Sequence, residues 1–130
     1  MKIASRLLTA LTAVTAVLAF STAAQAQAPG PLRIGSTLAL TGPLSSTAMT
    51  HKLVGEIYVE QLNAKGGLLG RKVEWLVKDD QSKPDVARTL YEQLVTSDKV
   101  DLLMGPYATA NSLAAMGVAQ RNGKVLITNS

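Results

Sequence analysis

The sequence predicts an α/β fold in which helices cover both faces of an open parallel sheet. From Leu32 onward, short strand-like apolar runs alternate with longer runs whose apolar residues recur at helical spacing. This alternation is typical of strand–helix–strand units in a parallel sheet. Residues 100–104 are almost continuously apolar, as expected of a strand that is covered on both sides.

Four strands and three helices account for this part of the chain. The predicted strands are residues 32–40, 72–78, 100–104 and 124–128. The first helix is predicted over residues 48–64, because a lysine and two glycines follow it. The second begins at Pro84, since proline and the neighbouring Asp85 suit a first helical turn, and it ends near Ser97. The third spans residues 110–121 and stops before Asn122 and Gly123.

Helical periodicity predicts which side chains pack inward. Trp75, in the middle of the second strand, is predicted to be a core residue. The helical residues predicted to face the sheet are Leu53, Val54, Ile57, Tyr58 and Leu62 in the first helix, Val86, Ala87, Leu90, Tyr91, Leu94 and Val95 in the second, and Leu113, Met116 and Gly117 in the third.

The first 26 residues have the layout of a cleaved secretory signal. Lys2 and Arg6 precede a charge-free apolar stretch at residues 7–20, and Ala24-Gln25-Ala26 is a cleavage signature. A second signature makes cleavage after Ala28 the alternative. The apolar stretch is shorter than the roughly 20 residues that span a bilayer as a helix. We expect the mature domain, residues 27–130, in the periplasm.

Charge and cysteine content exclude several classes of function. The export segment carries two of the 13 basic residues and none of the 9 acidic ones, which leaves a net charge of +2. The basic residues are scattered among acidic ones, whereas nucleic-acid-binding proteins concentrate them on one face. The chain has no cysteine, so it has neither disulfides nor a thiol nucleophile.

Three loops follow predicted strands, at residues 41–47, at residues 105–109 and from residue 129 onward. Ligands of open parallel sheets bind at this edge. None of these loops carries a dinucleotide-binding, P-loop or nucleophile-elbow motif. The single histidine, His51, is predicted to be a surface helix residue, and the sequence predicts no catalytic residue, metal site or cofactor.

The loops are rich in hydroxyl groups. Any one of Ser45, Ser46 and Thr47 is expected to cap the first helix. Together with Thr109 and Asn111 they exceed what capping requires, and hydroxyl groups beside helix N-termini suit a carboxylate. Tyr107 is expected either to form a pocket wall or to cover a helix end. The neighbouring acidic pair at the end of the second strand, Asp79 and Asp80, is predicted to form a turn.

Several motifs together resemble the periplasmic leucine/isoleucine/valine-binding protein family, the receptors of ABC importers for branched-chain amino acids. They are N-A-K-G-G-L-L-G-R-K-V-E at residues 63–74, K-D-D-Q-S-K-P at 78–84, L-T-G-P at 40–43, L-M-G-P-Y-A-T at 103–109 and K-V-L-I-T at 124–128. The resemblance implies a type I periplasmic-binding fold, with two lobes closing over one small solute. By it, residues 27–130 are an incomplete N-terminal lobe that binds its ligand weakly at best.

The resemblance also implies a binding site and partners. The loop around Thr109 would present a hydroxyl to the ligand, and Asn129 and Ser130 would add contacts. Thr47 stands where several family members carry an aromatic residue, which extends the candidate ligands from branched-chain amino acids to related aromatic or amide compounds. The ligand-contact candidates are therefore Ser45, Ser46, Thr47, Tyr107, Ala108, Thr109, Asn129 and Ser130.

The resemblance favours a monomeric receptor without enzymatic activity, with an ABC permease as its membrane partner. Two alternatives remain open from the sequence. One is the ligand-sensing ectodomain of a signalling receptor. The other is an enzyme with a flavodoxin-like sheet, which is disfavoured because no general base, thiol or metal cluster is visible.

Overall fold

Residues 30–128 form a four-stranded sheet with helices on both faces. The computed structural model describes these residues, and the predictions for the export segment and for Asn129 and Ser130 lie outside them. The strands are β1 (Leu32–Leu38), β2 (Val73–Asp79), β3 (Leu102–Met104) and β4 (Leu126–Ile127), and the helices are α1 (Ser45–Ala64), α2 (Pro84–Thr96) and α3 (Thr109–Arg121). All strand pairings are parallel, so the predicted fold class is confirmed.

The strand order is β2-β1-β3-β4. The chain leaves β1 for β2 on one side and then crosses back to β3 on the other, so the strand order reverses beside β1. Near the carboxyl ends, Leu38 is opposite Asp79 of β2 and Ser36 is opposite Met104 of β3. The crevice at such a reversal is where open parallel sheets bind ligands.

The main core lies between the sheet and the helices α2 and α3. The sheet approaches this core closely at Gly35 of β1, where a Cβ would come within 3.0 Å of the side chains of Leu94 and Val100. The predicted inward face of α2 is confirmed, since Ala87, Tyr91 and Leu94 are buried. The buried cluster consists of Tyr91, Leu94, Val100, Leu103, Ala115, Val118 and Ala119.

Helix α1 packs on the opposite face, over β1 and β2. Its Gly55 lies against the indole ring of Trp75, which packs beside the buried residues Leu38 and Ala48. Trp75 is thus part of the core, as predicted. Asn63 fixes the end of the helix, because its Nδ2 donates to the carbonyl of Val73 at 2.8 Å and its Oδ1 accepts from the N–H of Val73 at 2.7 Å.

The inward face predicted for α1 is mostly wrong. The residues of α1 that face the sheet lie on the same side of the helix as Ala48. They are Gly55, Val59 and Leu62, which are half-buried. Small residues let the helix approach the sheet closely, and this rotates the larger apolar residues outward. Four of the five predicted residues are 46–64% exposed: Leu53, Val54, Ile57 and Tyr58. Within residues 30–128, no helix has the length and apolarity needed to cross a membrane.

The inward face predicted for α3 is also wrong. Leu113 and Met116 are 64% and 50% exposed, and Gly117 is only half-buried. The residues that pack against the sheet and α2 are small or short: Asn111, Ser112, Ala114, Ala115, Val118 and Ala119. The large residues would hold α3 away from α2, so packing selected the small face instead of the more hydrophobic one.

Candidate ligand-binding site

The loop that follows β1 is fastened to the turn that follows β2. Thr41 donates its N–H to Asp79 Oδ1 at 3.1 Å and its hydroxyl to Asp79 Oδ2 at 2.7 Å. Ser82 Oγ donates to the Thr41 carbonyl at 3.1 Å and accepts from the Leu44 N–H at 3.3 Å. The backbone before α1 is therefore held at both ends by groups from the neighbouring turn.

The turn after β2 has an unusual backbone. Gln81 and Ser82 both have positive φ, at 55° and 61°. Asp79 Oδ1 accepts from the Gln81 N–H and Asp80 Oδ1 accepts from the Ser82 N–H, so both aspartates stabilise the turn, as predicted. Gly42 packs directly on it with φ 88°, and a Cβ there would come within 2.8 Å of the Gln81 carbonyl oxygen. Only glycine satisfies both conditions.

These hydrogen bonds set the acidity of Asp79. Its partial burial alone would raise the pKa. The hydrogen bonds from the Thr41 hydroxyl and from backbone N–H groups outweigh that effect, and the pKa of Asp79 lies below its ordinary value. Asp79 therefore holds the loop as a carboxylate.

A buried polar network joins the ends of β1 and β3 below the crevice. Thr37 Oγ1 donates to Asp80 Oδ2 at 2.7 Å, and the Thr37 N–H donates to the hydroxyl of Tyr91 at 3.3 Å. That hydroxyl in turn donates to the carbonyl oxygen of Met104. The side chains of Thr37, Asp80 and Tyr91 are all fully buried, and burial raises the pKa of Tyr91 well above its ordinary value.

A pocket of about 240 Å³ opens at this edge of the sheet. Its walls come from the end of β1, from α1, from β3 and the loop after it, and from the end of β4. The lining residues are Leu38, His51, Met104, Gly105, Pro106, Tyr107, Ile127 and Thr128. No lysine, arginine, aspartate or glutamate is among these eight residues, so the pocket suits a solute with an apolar body.

His51 and Tyr107 meet across the crevice. Their ring centroids are 5.0 Å apart and the rings are tilted by 45°. His51 Nδ1 lies 2.9 Å from the carbonyl oxygen of Thr47, and because a carbonyl only accepts, Nδ1 is the donor. His51 is exposed on α1 as predicted, but its place in the pocket was not predicted. The sequence feature that points to this placement is the position of His51 one helical turn after Thr47, a predicted ligand-contact residue.

The predicted ligand-contact residues lie at the same edge but in different roles. Ser45, Ser46 and Thr47 begin α1, and Tyr107, Ala108 and Thr109 lead into α3. Of these six, only Tyr107 lines the pocket, while Thr47 reaches it indirectly through its hydrogen bond with His51. Ligand contact by the other residues remains a prediction, as does any contact by Asn129 and Ser130, which are outside the described residues.

Two helices begin beside the pocket without a side-chain cap. The N-cap residues are Leu44 for α1 and Ala108 for α3, and neither helix has a side-chain cap hydrogen bond. The expectation that Ser45, Ser46 or Thr47 caps α1 is therefore wrong. Both helix N-termini place partial positive charge at this edge.

Asn111 was expected to lie with Thr109 in the loop after the third strand, and the structure places it elsewhere. It lies in the first turn of α3 and is buried, at 2% exposure. Its Nδ2 has no hydrogen-bond partner within residues 30–128. The amide group therefore belongs to the inner face of α3 and is absent from the pocket lining.

Residues 31–130 match the family model described as periplasmic binding protein. The chain is similar to the Leu/Ile/Val-binding protein BraC3 of Rhizobium johnstonii, with 29% identity over 91% of this chain and 32% of the relative. It is also similar to the chemotactic signal transduction system substrate-binding protein BasB of Halobacterium salinarum. That match has 30% identity over 77% of this chain and 25% of the relative.

Solved structures of similar proteins share the fold. One is the branched-chain amino acid transporter substrate binding protein LivJ of Streptococcus pneumoniae in complex with isoleucine, with a TM-score of 0.73 and 29% identity over 77% of this chain. Another is the leucine binding protein LivK of Thermotoga maritima, with a TM-score of 0.64 and 27% identity over 75% of this chain. This chain covers 29% and 27% of those two chains.

The chain thus spans a quarter to a third of the length of the relatives that it matches. The resemblance inferred from the motifs around residues 40, 63, 78, 103 and 124 is confirmed by the family match over nearly all of the described residues. The chain belongs to the periplasmic binding protein family.

Proposed function

We propose that this chain forms one wall of the binding cleft of a solute receptor for an ABC importer of amino acids with apolar side chains. The observation that carries the proposal is the pocket at the strand-order reversal, with no lysine, arginine, aspartate or glutamate among its lining residues. Open parallel sheets bind small ligands at this place. A receptor of this kind holds its solute by noncovalent contacts and leaves its bonds intact.

The lining matches the two ends of an apolar amino acid. Leu38, Met104, Pro106 and Ile127 offer apolar surface for an aliphatic or aromatic side chain. The uncapped N-termini of α1 and α3 lie at the same edge, and such termini attract a carboxylate. The hydroxyl groups of Ser45, Ser46, Thr47 and Thr109 are the further donors that we propose for the ligand's polar end.

The family and its relatives support the rest of the proposal. Relatives are named as Leu/Ile/Val-binding proteins, and a structural neighbour is named as a branched-chain amino acid transporter substrate binding protein. We propose an ABC permease as the membrane partner. We also propose that the protein is exported, cleaved after Ala26 or Ala28, and monomeric in the periplasm.

A second candidate is a sensory role, favoured by the similarity to the chemotaxis substrate-binding protein BasB. The two roles differ in what a deletion strain loses. Loss of uptake of radiolabelled leucine, with an intact behavioural response, supports the importer. Loss of the response with uptake unchanged supports the sensor.

Nuclear magnetic resonance on the ¹⁵N-labelled 130-residue chain tests binding at this pocket. Titration with L-leucine, L-isoleucine and L-phenylalanine is expected to shift the backbone signals of Gly105, Tyr107 and Thr128. Because the pocket is open to solvent, we expect weak binding with dissociation constants near 1 mM, or about −4 kcal/mol. L-aspartate and L-lysine are the controls. Equal binding of these charged amino acids, or shifts confined to the opposite edge of the sheet, would contradict the proposal.

A further inference from the structure

His51 is the single histidine among the lining residues of this pocket, and histidine is the side-chain type that serves as a proton-dependent switch in proteins. Its Nδ1 donates to the Thr47 carbonyl oxygen at 2.9 Å, and the Tyr107 ring contacts it from the opposite wall. These two contacts fix the orientation of the ring. They also fix the tautomer, because the proton of a neutral ring must then be on Nδ1.

The other ring nitrogen of His51, Nε2, can contact a ligand, since it has no hydrogen bond within residues 30–128. In the neutral ring Nε2 is an acceptor, and in the imidazolium ring it is a charged donor. A solute's ammonium group suits the first state and its carboxylate suits the second. The protonation of one side chain would therefore change which polar group the pocket prefers.

Within residues 30–128, the lining residues beside His51 include no lysine, arginine, aspartate or glutamate. Tyr107 faces it from the loop after β3. On α1, Lys52 is paired with Glu56. The lining residues contributed by β1, β3 and β4 are Leu38, Met104 and Ile127, and Thr128 directly follows β4; none of these four is acidic or basic. An anionic group in the pocket would thus find its cationic side-chain partner in protonated His51.

We propose that His51 contacts the bound solute and makes the affinity for a carboxylate-bearing ligand depend on pH. The proposal rests on the proposed function, because it names the chemistry by which the same pocket reads its ligand. Binding of a carboxylate strengthens on acidification from pH 8.0 to pH 5.5. We expect a change of about threefold to tenfold, since His51 is exposed and solvent weakens the charged contact.

The test compares two ligands on the full 130-residue chain by ¹⁵N nuclear magnetic resonance titration at pH 5.5 and pH 8.0. L-leucine is a zwitterion at both pH values, so its own charge does not change. L-leucinol has the same side chain and amine but lacks the carboxylate. L-leucine is expected to bind threefold to tenfold more tightly at pH 5.5, whereas L-leucinol gains nothing.

Three variants test whether His51 causes the pH dependence of L-leucine binding. His51→Gln removes the titrating group, and His51→Phe retains an aromatic ring against Tyr107 without a nitrogen; both are expected to abolish the pH dependence for L-leucine. Lys52→Gln removes a positive charge from the adjacent residue, which is not among the lining residues, and is expected to retain it. The comparison of the two ligands on the unmodified chain needs no variant, so poor folding of a variant does not remove the test.

The outcomes separate this proposal from the proposed function. Leucine binding that does not change with pH, or that changes equally in His51→Gln, overturns the role of His51 and leaves the receptor function standing. If no amino acid shifts the signals of the pocket residues at either pH, both the role of His51 and the receptor function are overturned.

Discussion

The hydroxyl of Tyr91 donates a hydrogen bond to the carbonyl oxygen of Met104, the last residue of β3. The same hydroxyl accepts from the N–H of Thr37 in β1. A single buried side chain of α2 thus joins the two strands beside which the pocket opens. Because a hydrogen bond is stronger in the low-dielectric interior than in water, this contact positions the loop that begins at Gly105.

Replacing Tyr91 with phenylalanine is expected to destabilise the protein by about 1–3 kcal/mol. The ring would remain in place, but the Met104 carbonyl and the Thr37 N–H would lose their buried partner. Urea unfolding followed by circular dichroism measures the change. Tyr58→Phe is the matched control, since Tyr58 is 64% exposed and its loss should change the unfolding free energy little. Equal effects of the two substitutions would show that the buried hydroxyl is not structural.

Stability is expected to fall above about pH 10, the ordinary pKa of tyrosine. Burial, assisted by the nearby Asp80 carboxylate, raises the pKa of Tyr91 above that value in the folded state. The unfolded chain therefore loses this proton first. The stability that Tyr91 contributes is present below pH 10 and is lost above it, by up to about 1.4 kcal/mol per pH unit. Urea unfolding at pH 8, 10 and 11 measures this, and Tyr91→Phe should show a smaller decline.

Asp79 is expected to make the protein sensitive to acid. Its folded-state pKa is lowered by the hydrogen bonds that exceed the effect of burial. Its contribution is therefore present above about pH 4, the ordinary value for aspartate, and is lost as the pH falls through the lowered folded-state pKa.

Asp79→Asn should lower stability at neutral pH by about 1 kcal/mol and flatten the acid-dependent part of the curve. Urea unfolding between pH 7 and pH 2 measures both effects. Glu60→Gln, which changes an exposed carboxylate on α1, is the control. If the two variants lose stability equally on acidification, the hydrogen bonds between Asp79 and Thr41 do not contribute to the stability of the protein.

Gly55→Ala is expected to destabilise the protein, although alanine is normally the better helix residue. The added Cβ would lie 2.3 Å from Cζ3 of Trp75, so α1 or the indole must move. Overpacking of this kind costs about 1–3 kcal/mol. Urea unfolding followed by the fluorescence of Trp75, the single tryptophan of the chain, measures the effect.

Gly117→Ala in α3 provides the opposite case. Among residues 30–128, its Cβ would meet only Arg121, at 3.6 Å, so helix propensity should raise stability by about 0.5–1 kcal/mol. In a Trp75→Leu background, where circular dichroism replaces tryptophan fluorescence as the probe of urea unfolding, Gly55→Ala should lose most of its penalty. A persistent penalty in that background would mean that contact with the indole is not the cause.

Leu69→Asn is expected to stabilise the protein by about 0.5–1 kcal/mol. Leu69 has a φ of 54° and is 86% exposed, so its backbone is in the left-handed region while its side chain buries almost nothing. Asparagine tolerates this conformation better than leucine. The melting temperature and the urea midpoint should both rise. Leu68→Asn, at the less exposed neighbouring position, should give no such gain.

Most of the backbone architecture could be predicted from the sequence. The alternation of apolar runs located all four strands, and Pro84 and the glycines after Ala64 marked helix boundaries near the observed ones. These signals are local, because backbone stereochemistry and period of hydrophobicity act over a few residues. The packing faces of α1 and α3 differ from those that hydrophobic periodicity predicts. The spacing of apolar residues does not specify the close approach that Gly55 and the alanines of α3 allow.

The binding site was predicted at the level of the sheet edge and only partly at the level of residues. Tyr107 was identified as a pocket candidate and lines the pocket. His51 was not identified, since its ring reaches the pocket only because α1 lies beside the loop after β3. Thr41 and Ser82, which fasten the first loop, come from segments 38 or more residues apart.

The sequence by itself determined the fold class and the family, because repeated local patterns and several short motifs carry that information along the chain. The tertiary structure decided the strand order β2-β1-β3-β4, the faces on which α1 and α3 pack and the pairing of His51 with Tyr107. Each of these depends on contacts between residues far apart in sequence. Such contacts are fixed by the shape of the packed side chains, which no local pattern specifies.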